Sequence, residues 1–498
     1  MRRSICLVFT LLLGVLAAGC SSDNDDAAAG NKAPRAQSAE QSSAHDSSKP
    51  VSQPNDMYFQ DYGTNPYVAT EDDRLSTFAM DVDTGSYTLA RSYIKDGNIP
   101  PQEAIRLEEF INYFDLNDAP PTDDTFAIHV DAGPSPFGEE GTQLVRIGIK
   151  GKEIEATQRK RANLTFVIDV SGSMDQDNRI GLVKRSLSLL ANQLNDDDQI
   201  AIVVYGSKAR TVLEPTSVEE IDTILEAIGE LRIEGATNAE AGLLLGYKVA
   251  SKSYDKGAIN RVILCSDGVA NVGNTGPEAI LDTIEDYAGR NLFLSTFGFG
   301  MDNYNDVLME QLADQGNGTY AYIDDIDEAK KIFQEQLTGM LQTIAKDAKI
   351  QVEFDPDQVK GYRLLGYENR AIADEDFRNN KVDGGEIGAG HSVTALYEIE
   401  LRNKSDESWG SVTIRYKDVD DRNRSRESVA AIGPSDKLSD ATLFIAAVAE
   451  FAKIMKDSEG VGNSRLQQVI QLAEQHAASE RQEEFAQLVK DFVKVRQR

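Results

Sequence analysis

The chain has 498 residues, which is enough for about three domains of roughly 150 residues each. Its 38 glycines, 14 prolines and 41% apolar residues exclude a collagen-like or wholly disordered protein. The 82 acidic residues outnumber the 51 Lys and Arg residues and give a net charge of -31. Phosphate backbones repel a chain this acidic, so nucleic acid is excluded as a partner, whereas cations and basic protein surfaces suit it.

The N-terminus indicates export from the cytoplasm. Basic residues precede the apolar stretch Ile5 to Leu16, which is too short to span a bilayer comfortably and is typical of a secretory signal peptide. The segment ends in Leu16-Ala17-Ala18-Gly19-Cys20, which resembles the lipobox of bacterial lipoproteins. The resemblance implies that residues 1–19 are removed as a signal peptide and that Cys20 is acylated, for instance with palmitate. An ordinary cleavage site followed by a cysteine is the alternative.

The predicted anchor sets the location of the protein. Ser21, rather than an Asp, after the acylated cysteine implies the outer membrane by the same resemblance, with the chain facing the periplasm or the cell surface. We therefore expect a lipid-anchored protein of the bacterial cell envelope. Residues 20–56 are mostly Ser, Ala, Asp, Gln, Asn and Pro, which cannot bury enough apolar surface to fold. This segment is predicted to be a disordered tether.

Residues 57–120 are predicted to form a small N-terminal α/β region with helices over Tyr87–Ile94 and Gln102–Phe114. A strand in front of the first helix leads into Asp83-Thr84-Gly85-Ser86, which matches the Asp-Thr-Gly loop of aspartic proteases. Such enzymes need two carboxylates that share one proton, and the sequence has no second Asp-Thr-Gly or Asp-Ser-Gly. A capped turn from strand to helix is therefore favoured over a protease.

The stretch from residue 160 to residue 345 alternates between apolar strands and amphipathic helices. Its first strand, Leu164–Ile168, runs into Asp169-Val170-Ser171-Gly172-Ser173-Met174, after which apolar residues recur at helical spacing. Further strands are predicted at Gln199–Tyr205, Arg261–Ser266, Leu292–Phe297 and Thr319–Ile323, and further helices at Val218–Leu231, Ala239–Ser251, Pro277–Tyr287, Asn305–Ala313 and Ile326–Ile344. The alternation predicts a doubly wound α/β domain with an open parallel, Rossmann-like sheet, whose ligands bind beyond the carboxyl ends of the strands.

Three polar loops should meet at that edge of the sheet. The first carries Asp169, Ser171 and Ser173. The second carries Thr237 in front of a helix, and the third carries Asp267 directly after an apolar strand. Two carboxylates and three hydroxyls form a hard, all-oxygen set, which suits Mg²⁺ or Mn²⁺ better than zinc or copper. Because Mg²⁺ readily keeps waters in its coordination shell, the site leaves a position for an incoming carboxylate.

These loops resemble the metal-ion-dependent adhesion site (MIDAS) of the von Willebrand factor type A (VWA) domain. The resemblance implies that the hydroxyls of Ser171, Ser173 and Thr237 bind the metal directly. It implies mostly water-mediated contact for Asp169 and Asp267. All five positions of the family's motif are matched in this sequence.

Antiparallel β strands flank the predicted VWA domain (160–345) on both sides. Alternating strands over 121–158 and 346–433 predict one sandwich-like β domain into which the VWA domain is inserted. Residues 436–498 are predicted to form a helical tail whose apolar stripe packs in a core. The whole layout, with a lipobox, a spacer, an N-terminal region, a central VWA domain and a β-rich then helical tail, resembles the bacterial VWA lipoproteins of the YfbK-like type.

The residues favour binding over catalysis. A protein partner is expected to offer an Asp or Glu side chain to the metal, while the flanking domains position the lipid-anchored body. A metal-assisted hydrolase is one alternative, but Asp169 and Asp267 are its only clear bases and both are committed to the metal, so no enzyme activity is expected. An envelope scaffold that uses the β domain, with the metal site incidental, is the other. The sequence has no phosphate-binding loop, so no nucleotide is expected.

Overall fold

The computed structural model describes residues 57–268, 277–301, 304–403, 407–419, 424–457 and 462–498. These residues belong to one compact unit, Gln53–Arg498. The predicted signal peptide (1–19), the predicted tether (20–56) and Cys20 lie outside the described residues. Within the described ranges, no helix has both the length and the apolar character needed to cross a membrane.

In the middle of the chain, strands alternate with helices. In the C-terminal part, the strands come first and the helices follow them. The strands in chain order are β1 (Val68–Ala69), β2 (Leu75–Ala79), β3 (Phe126–Pro134), β4 (Thr142–Gly151), β5 (Ala162–Asp169), β6 (Gln199–Tyr205), β7 (Ala209–Ser217), β8 (Ile259–Ser266), β9 (Phe293–Gly298), β10 (Tyr320–Tyr322), β11 (Thr343–Phe354), β12 (Val359–Leu365), β13 (Gly385–Gly388), β14 (Ser392–Leu401), β15 (Gly410–Asp418) and β16 (Ser425–Ile432). The α-helices are α1 (Gly85–Lys95), α2 (Leu107–Asn112), α3 (Arg179–Ala191), α4 (Ile221–Gly229), α5 (Ala239–Ala250), α6 (Pro277–Ala288), α7 (Asp306–Gln315), α8 (Ile326–Lys330), α9 (Leu337–Leu341), α10 (Asp440–Lys456), α11 (Asn463–His476) and α12 (Glu480–Arg496). Short 3-10 turns lie at Gln102–Ala104, Ala156–Gln158, Gly172–Asn178, Val218–Glu220, Glu368–Arg370 and Asp374–Asp376, and a π-helical turn lies at Lys331–Glu335.

The central α/β domain is built on a mostly parallel sheet with the order β10-β9-β8-β5-β6-β7. Strands β5, β6 and β8 are buried almost throughout because helices cover both faces, as their near-continuous apolar runs predict. Helices α3, α4, α8 and α9 share one core with the sheet, and α5, α6 and α7 share the other. The predicted doubly wound parallel α/β fold is therefore confirmed. The strand order reverses between β5 and β8, so the carboxyl end of β5 lies at the switch point.

Two features of this domain differ from the sequence-based prediction. β7 is an antiparallel edge strand beside β6, and its mixed polar sequence, with Pro215 inside it, gives no apolar run to predict it from. The predicted helix Ile326–Ile344 is wrong, because the π-helical turn interrupts it and Thr343 already pairs with Gly388 in β13. β11 thus begins inside the stretch predicted as the VWA domain. The spacing of apolar residues does not predict the start of β11, because a short apolar run is compatible with a helix and with a buried strand.

Two antiparallel sheets form a β sandwich. One has the order β1-β12-β14-β4-β3, and the other has the order β13-β11-β15-β16, with β2 also paired to β11. Their inner faces share one hydrophobic core, in which the ring of Phe126 on β3 meets the ring of Tyr416 on β15 with 5.0 Å between centroids. This is the antiparallel sandwich that the alternating strands on either side of the central domain predict.

Residues 57–120 share their cores with distant parts of the chain. β1 pairs with β12 and β2 pairs with β11, so both strands extend the sandwich. Helices α1 and α2 pack with α10, α11 and α12 in one core, where Phe114 meets the rings of Phe444 and Phe485 with 5.1 Å and 5.7 Å between centroids. The region expected as a separate N-terminal unit is therefore divided between the sandwich and the C-terminal helices.

Glu108 on α2 makes this shared packing sensitive to pH. Its side chain is buried, and its Oε2 accepts a hydrogen bond from the backbone amide of Tyr367 at 2.9 Å. Burial, followed by the nearby charge of Glu368, raises the pKa of Glu108 from 4.5 to about 7. A carboxyl whose pKa is higher in the folded chain binds its proton more tightly there, so its contribution to stability falls as the pH rises from about 4.5 to about 7.

We expect Glu108→Gln to reduce the loss of stability over this pH window, because glutamine keeps an acceptor oxygen for the Tyr367 amide and carries no charge. Thermal unfolding of the wild type and the variant at several pH values between about 4.5 and 8 measures the difference. Glu103→Gln, at an exposed position on the preceding 3-10 turn, is the matched control. A Glu108→Gln protein that loses stability with pH as steeply as the wild type would contradict the assignment.

Candidate metal centre

Asp169 is the last residue of β5, and its carboxylate is fully buried at the switch point. Its Oδ1 accepts a hydrogen bond from the backbone amide of Ser171 at 2.8 Å. Its Oδ2 accepts one from the hydroxyl of Ser266, at the end of β8, at 3.1 Å. Because β5 and β8 are parallel neighbours, their polar ends lie side by side and both carboxylate oxygens are fixed.

The hydroxyls of Ser171 and Ser173 lie close together beside this carboxylate. Their Oγ atoms are 3.0 Å apart, which is close enough for both to contact one bound ion. Ser171 is buried, whereas Ser173, at the start of the 3-10 turn that leads into α3, is partly exposed. The pair therefore offers two neutral oxygens on the side of the site that solvent can reach.

The loop that carries Thr237 lies against the serine loop. The backbone amide of Gly172 donates a hydrogen bond to the carbonyl of Gly235 at 2.8 Å. Gly235 has a φ of +82°, a left-handed conformation that favours glycine. Asn238 then caps α5, because its Oδ1 accepts a hydrogen bond from the amide of Ala241 at 3.0 Å. Between these two fixed points, Thr237 is held at the same edge of the sheet as the serines.

Asp267 follows β8 directly, and its carboxylate is fully buried. Its Oδ2 lies 3.2 Å from Nη1 of Arg179. Burial, followed by the neighbouring charge of Asp267, raises the pKa of Asp169 to about 6. Two buried carboxylates that disfavour each other's charge form a place where a divalent cation would be stabilising.

Arg179, the first residue of α3, belongs to this site but is not among the residues predicted from the sequence. Its side chain is buried, and its Nη1 also donates a hydrogen bond to the carbonyl of Ser173 at 3.3 Å. The sequence does hold a signal for it, because a positive charge at the amino end of a helix is unfavourable with the helix dipole. An arginine at that position indicates nearby acidic groups, and Asp267 is one.

The donor chemistry of the predicted ligands fits Mg²⁺ or Mn²⁺. Their side-chain donors are all hard oxygens, three from hydroxyls and two from carboxylates, and neither a thiolate nor an imidazole is among them. The structure brings the five predicted residues to one edge of the sheet: Asp169, Ser171, Ser173, Thr237 and Asp267. Their binding of a metal stays a prediction.

A second acidic cluster lies near the amino end of β10. Oxygens of Asp81, Asp83 and Glu310 are close enough together to hold a metal ion. The guanidinium of Arg370 contacts all three, at 2.9, 3.4 and 3.1 Å respectively, and so takes the position of a cation. Asp83 also accepts a hydrogen bond from the amide of Tyr320 at 2.8 Å. The Asp-Thr-Gly loop is therefore a buried turn from strand to helix, as favoured from the sequence.

The sheet and the loops at its carboxyl edge define a class of protein. The family model described as von Willebrand factor type A domain matches residues 163–335, and one described as von Willebrand factor matches residues 53–146. A model for the C-terminal part of the protein YfbK matches residues 339–495. The central α/β domain is a VWA domain.

The chain belongs to the YfbK family. It is 36% identical to YfbK of Escherichia coli (strain K12) over 458 residues, a match that covers 85% of this chain and 78% of YfbK. It is 30% identical over 213 residues to protein sll0103 of Synechocystis, which covers 43% of this chain and 49% of that protein. It is 25% identical over 268 residues to human inter-alpha-trypsin inhibitor heavy chain H3, which covers 48% of this chain and 28% of that protein. The chain thus spans less than half the length of the last two relatives.

Among solved structures, the chain is similar to a von Willebrand factor type A protein from Catenulispora acidiphila. The two are 18% identical, and the match covers 73% of this chain and 88% of that one with a TM-score of 0.43.

Proposed function

We propose that the protein is a divalent-metal-dependent binding module of the bacterial cell envelope. A protein partner supplies an Asp or Glu side chain that completes the coordination of Mg²⁺ or Mn²⁺. The observation that carries the proposal is the pair of hydroxyls of Ser171 and Ser173, 3.0 Å apart, beside the buried carboxylates of Asp169 and Asp267. This group lies at the switch point of a VWA domain, where doubly wound sheets bind their ligands.

The direction of approach follows from burial. Both carboxylates are fully buried, whereas Ser173 is partly exposed, so a ligand reaches the metal from the serine side. The hydroxyls on that side are neutral, so they add no negative charge where the ligand approaches the divalent ion. A carboxylate from a partner is a hard, negatively charged oxygen ligand and suits that position.

The same contacts favour binding over hydrolysis. A hydrolase needs a general base that can take a proton from water near the metal. Asp169 accepts two hydrogen bonds, and Asp267 is paired with Arg179. Because both carboxylates are buried and held by these contacts, neither is placed to act as that base.

We also propose that an acylated Cys20 anchors the folded unit at the outer membrane. The lipobox at residues 16–20 supports this proposal. By random-coil scaling, a disordered segment of this length would reach about 30 to 35 Å, enough to hold a folded body clear of the membrane. Labelling cells with a palmitate analogue tests it: we expect label on the wild type and none on Cys20→Ala, and equal labelling of both would contradict the anchor.

Capture of a partner from envelope extract tests the binding function. We expect the unit Gln53–Arg498 to retain a protein in Mg²⁺ and to lose it in chelator. Ser173→Ala should also lose it, because the change removes one metal-binding hydroxyl from the exposed side of the site. Ser188→Ala is the matched control, since Ser188 lies on α3 and its hydroxyl donates a hydrogen bond to the helix backbone at the carbonyl of Lys184.

Mass spectrometry identifies the retained proteins and measures how much of each is recovered. Equal recovery in Mg²⁺, in chelator and with Ser173→Ala would contradict metal-dependent binding. That result would favour the envelope scaffold, in which the β sandwich provides the binding surface and the metal site is incidental.

A further inference from the structure

Arg179 is a fixed positive charge inside the candidate metal centre. Its side chain is 4% exposed, and its Nη1 lies 3.2 Å from Oδ2 of Asp267 and 3.3 Å from the carbonyl oxygen of Ser173. It therefore joins the loop after β5 to the loop after β8, and both loops carry predicted ligands. The ligand set implied by the VWA resemblance does not include it.

The backbone after β9 leaves room for this guanidinium. Gly300 has a φ of +88°, and a Cβ at this position would overlap Nε of Arg179. Glycine meets both requirements at once, since it tolerates a left-handed backbone and has no side chain. With Asp267 on one side and Gly300 on another, the guanidinium is packed in place and its charge stays beside the carboxylate of Asp267.

We infer that Arg179 makes the metal-loaded site more positive and thereby favours an acidic ligand. This inference rests on the proposed function. The guanidinium of Arg179 adds one positive charge beside the carboxylates of Asp169 and Asp267, and the hydroxyl ligands add no charge. When a divalent cation is bound, the site with the arginine is one charge more positive than the same site without it. That added charge favours an anionic ligand such as a carboxylate.

The charge of Arg179 therefore acts in opposite directions on the two binding steps. It repels the metal and so weakens metal binding, and it attracts the anionic ligand once the metal is bound. A purely structural clamp between the two loops would act differently. Its removal would loosen Asp267 and weaken both steps, so the sign of the change in metal affinity separates the two explanations.

Mn²⁺ and acetate are suitable probes of the two steps. Electron paramagnetic resonance of free Mn²⁺ gives the metal affinity, and the water-proton relaxation rate of bound Mn²⁺ reports displacement of its waters by acetate. For Arg179→Gln in the unit Gln53–Arg498, we expect Mn²⁺ affinity to rise about tenfold and acetate affinity to fall about tenfold, as loss of a nearby charge predicts. Arg179→Lys, which keeps the charge, should stay close to the wild type.

A second variant covers the case in which Arg179→Gln does not fold. Gly300→Ala displaces the guanidinium from Asp267 without removing a charge from the chain, and we expect it also to raise Mn²⁺ affinity. If the wild type binds Mn²⁺ and the folded variants bind it no more tightly, the inference is wrong and the proposed function stands. If neither the wild type nor either variant binds Mn²⁺, the proposed function is wrong and the inference fails with it.

Discussion

Arg106→Ala is expected to lower the free energy of unfolding by about 3–5 kcal/mol, the usual cost of removing one partner from a buried ion pair. Arg106 is buried, its Nε pairs with Glu109, and its Nη1 lies 2.5 Å from Oδ2 of Asp306. The alanine variant leaves both carboxylates in a buried place without their counter-charge. Denaturant unfolding of the unit Gln53–Arg498, followed by circular dichroism, measures the change.

Arg74→Ala is the matched control for this prediction. Arg74 also pairs with a carboxylate, Glu353, at 3.2 Å, but both side chains are about half exposed. Exposed pairs of this kind contribute about 1 kcal/mol or less, because water screens the charges and the side chains lose entropy. If the two variants lose equal stability, the buried pair around Arg106 does not hold the fold together.

Charged side chains join three parts of the chain at one place. Arg106 of the N-terminal region reaches Asp306 on α7 of the VWA domain. Arg370, from the segment between β12 and β13 of the sandwich, reaches Glu310 on the same helix. These contacts fix α7 of the VWA domain to the N-terminal region and to the sandwich, and the candidate metal centre lies at the carboxyl edge of the same sheet. A partner bound there would meet a site of fixed orientation relative to the rest of the body.

The start of α1 depends on Glu109, the carboxylate that pairs with Arg106. Thr84 makes no side-chain cap at the helix, contrary to the capping expected from the Asp-Thr-Gly-Ser turn. Instead, Oε2 of Glu109 accepts a hydrogen bond from the backbone amide of Ser86 at 2.7 Å. Local sequence indicates the turn and the helix, but the group that satisfies the helix terminus comes from α2.

Local pattern in the sequence predicts the central sheet and its loops well. The apolar run Leu164–Ile168 and the helix after it suffice to place Asp169 at a strand end, because a strand buried on both faces has this composition. Pairings between distant segments are different, since nothing in Ser76 indicates that it lies opposite Val352. For the same reason, the sharing of residues 57–120 between two cores is not apparent from the sequence.

In the candidate metal centre, too, some features can be predicted from neighbouring residues and others depend on residues far apart in the chain. The motif around Ser171 and Ser173 is contiguous, so its chemistry can be predicted from the sequence. Arg179 stands in the next helical turn, and its importance depends on Asp267, which is 88 residues further along the chain. The pairing becomes apparent only when β5 and β8 are placed side by side.

Asp169→Asn is expected to abolish the stabilisation that Mg²⁺ gives to the folded chain. A ligand present at about 100 times its dissociation constant stabilises the native state by about 2.7 kcal/mol, so a metal-binding wild type should show a shift of this size. Asparagine fills nearly the same space as aspartate and keeps an oxygen for the amide of Ser171, but it removes one of the two charges that would hold the cation. Thermal unfolding with Mg²⁺ and with chelator measures the effect.

In chelator, the same variant should be at least as stable as the wild type. Asp169 and Asp267 are both buried, and each carboxylate raises the cost of charging the other, so removing one charge relieves a repulsion. Asp222→Asn, at an exposed position on α4, is the control and should respond to Mg²⁺ as the wild type does. A variant that is destabilised in chelator and still responds to Mg²⁺ would mean that Asp169 supports the loop rather than the metal. Gain of stability without metal, together with loss of the response to it, is the result expected of a carboxylate placed for binding a cation.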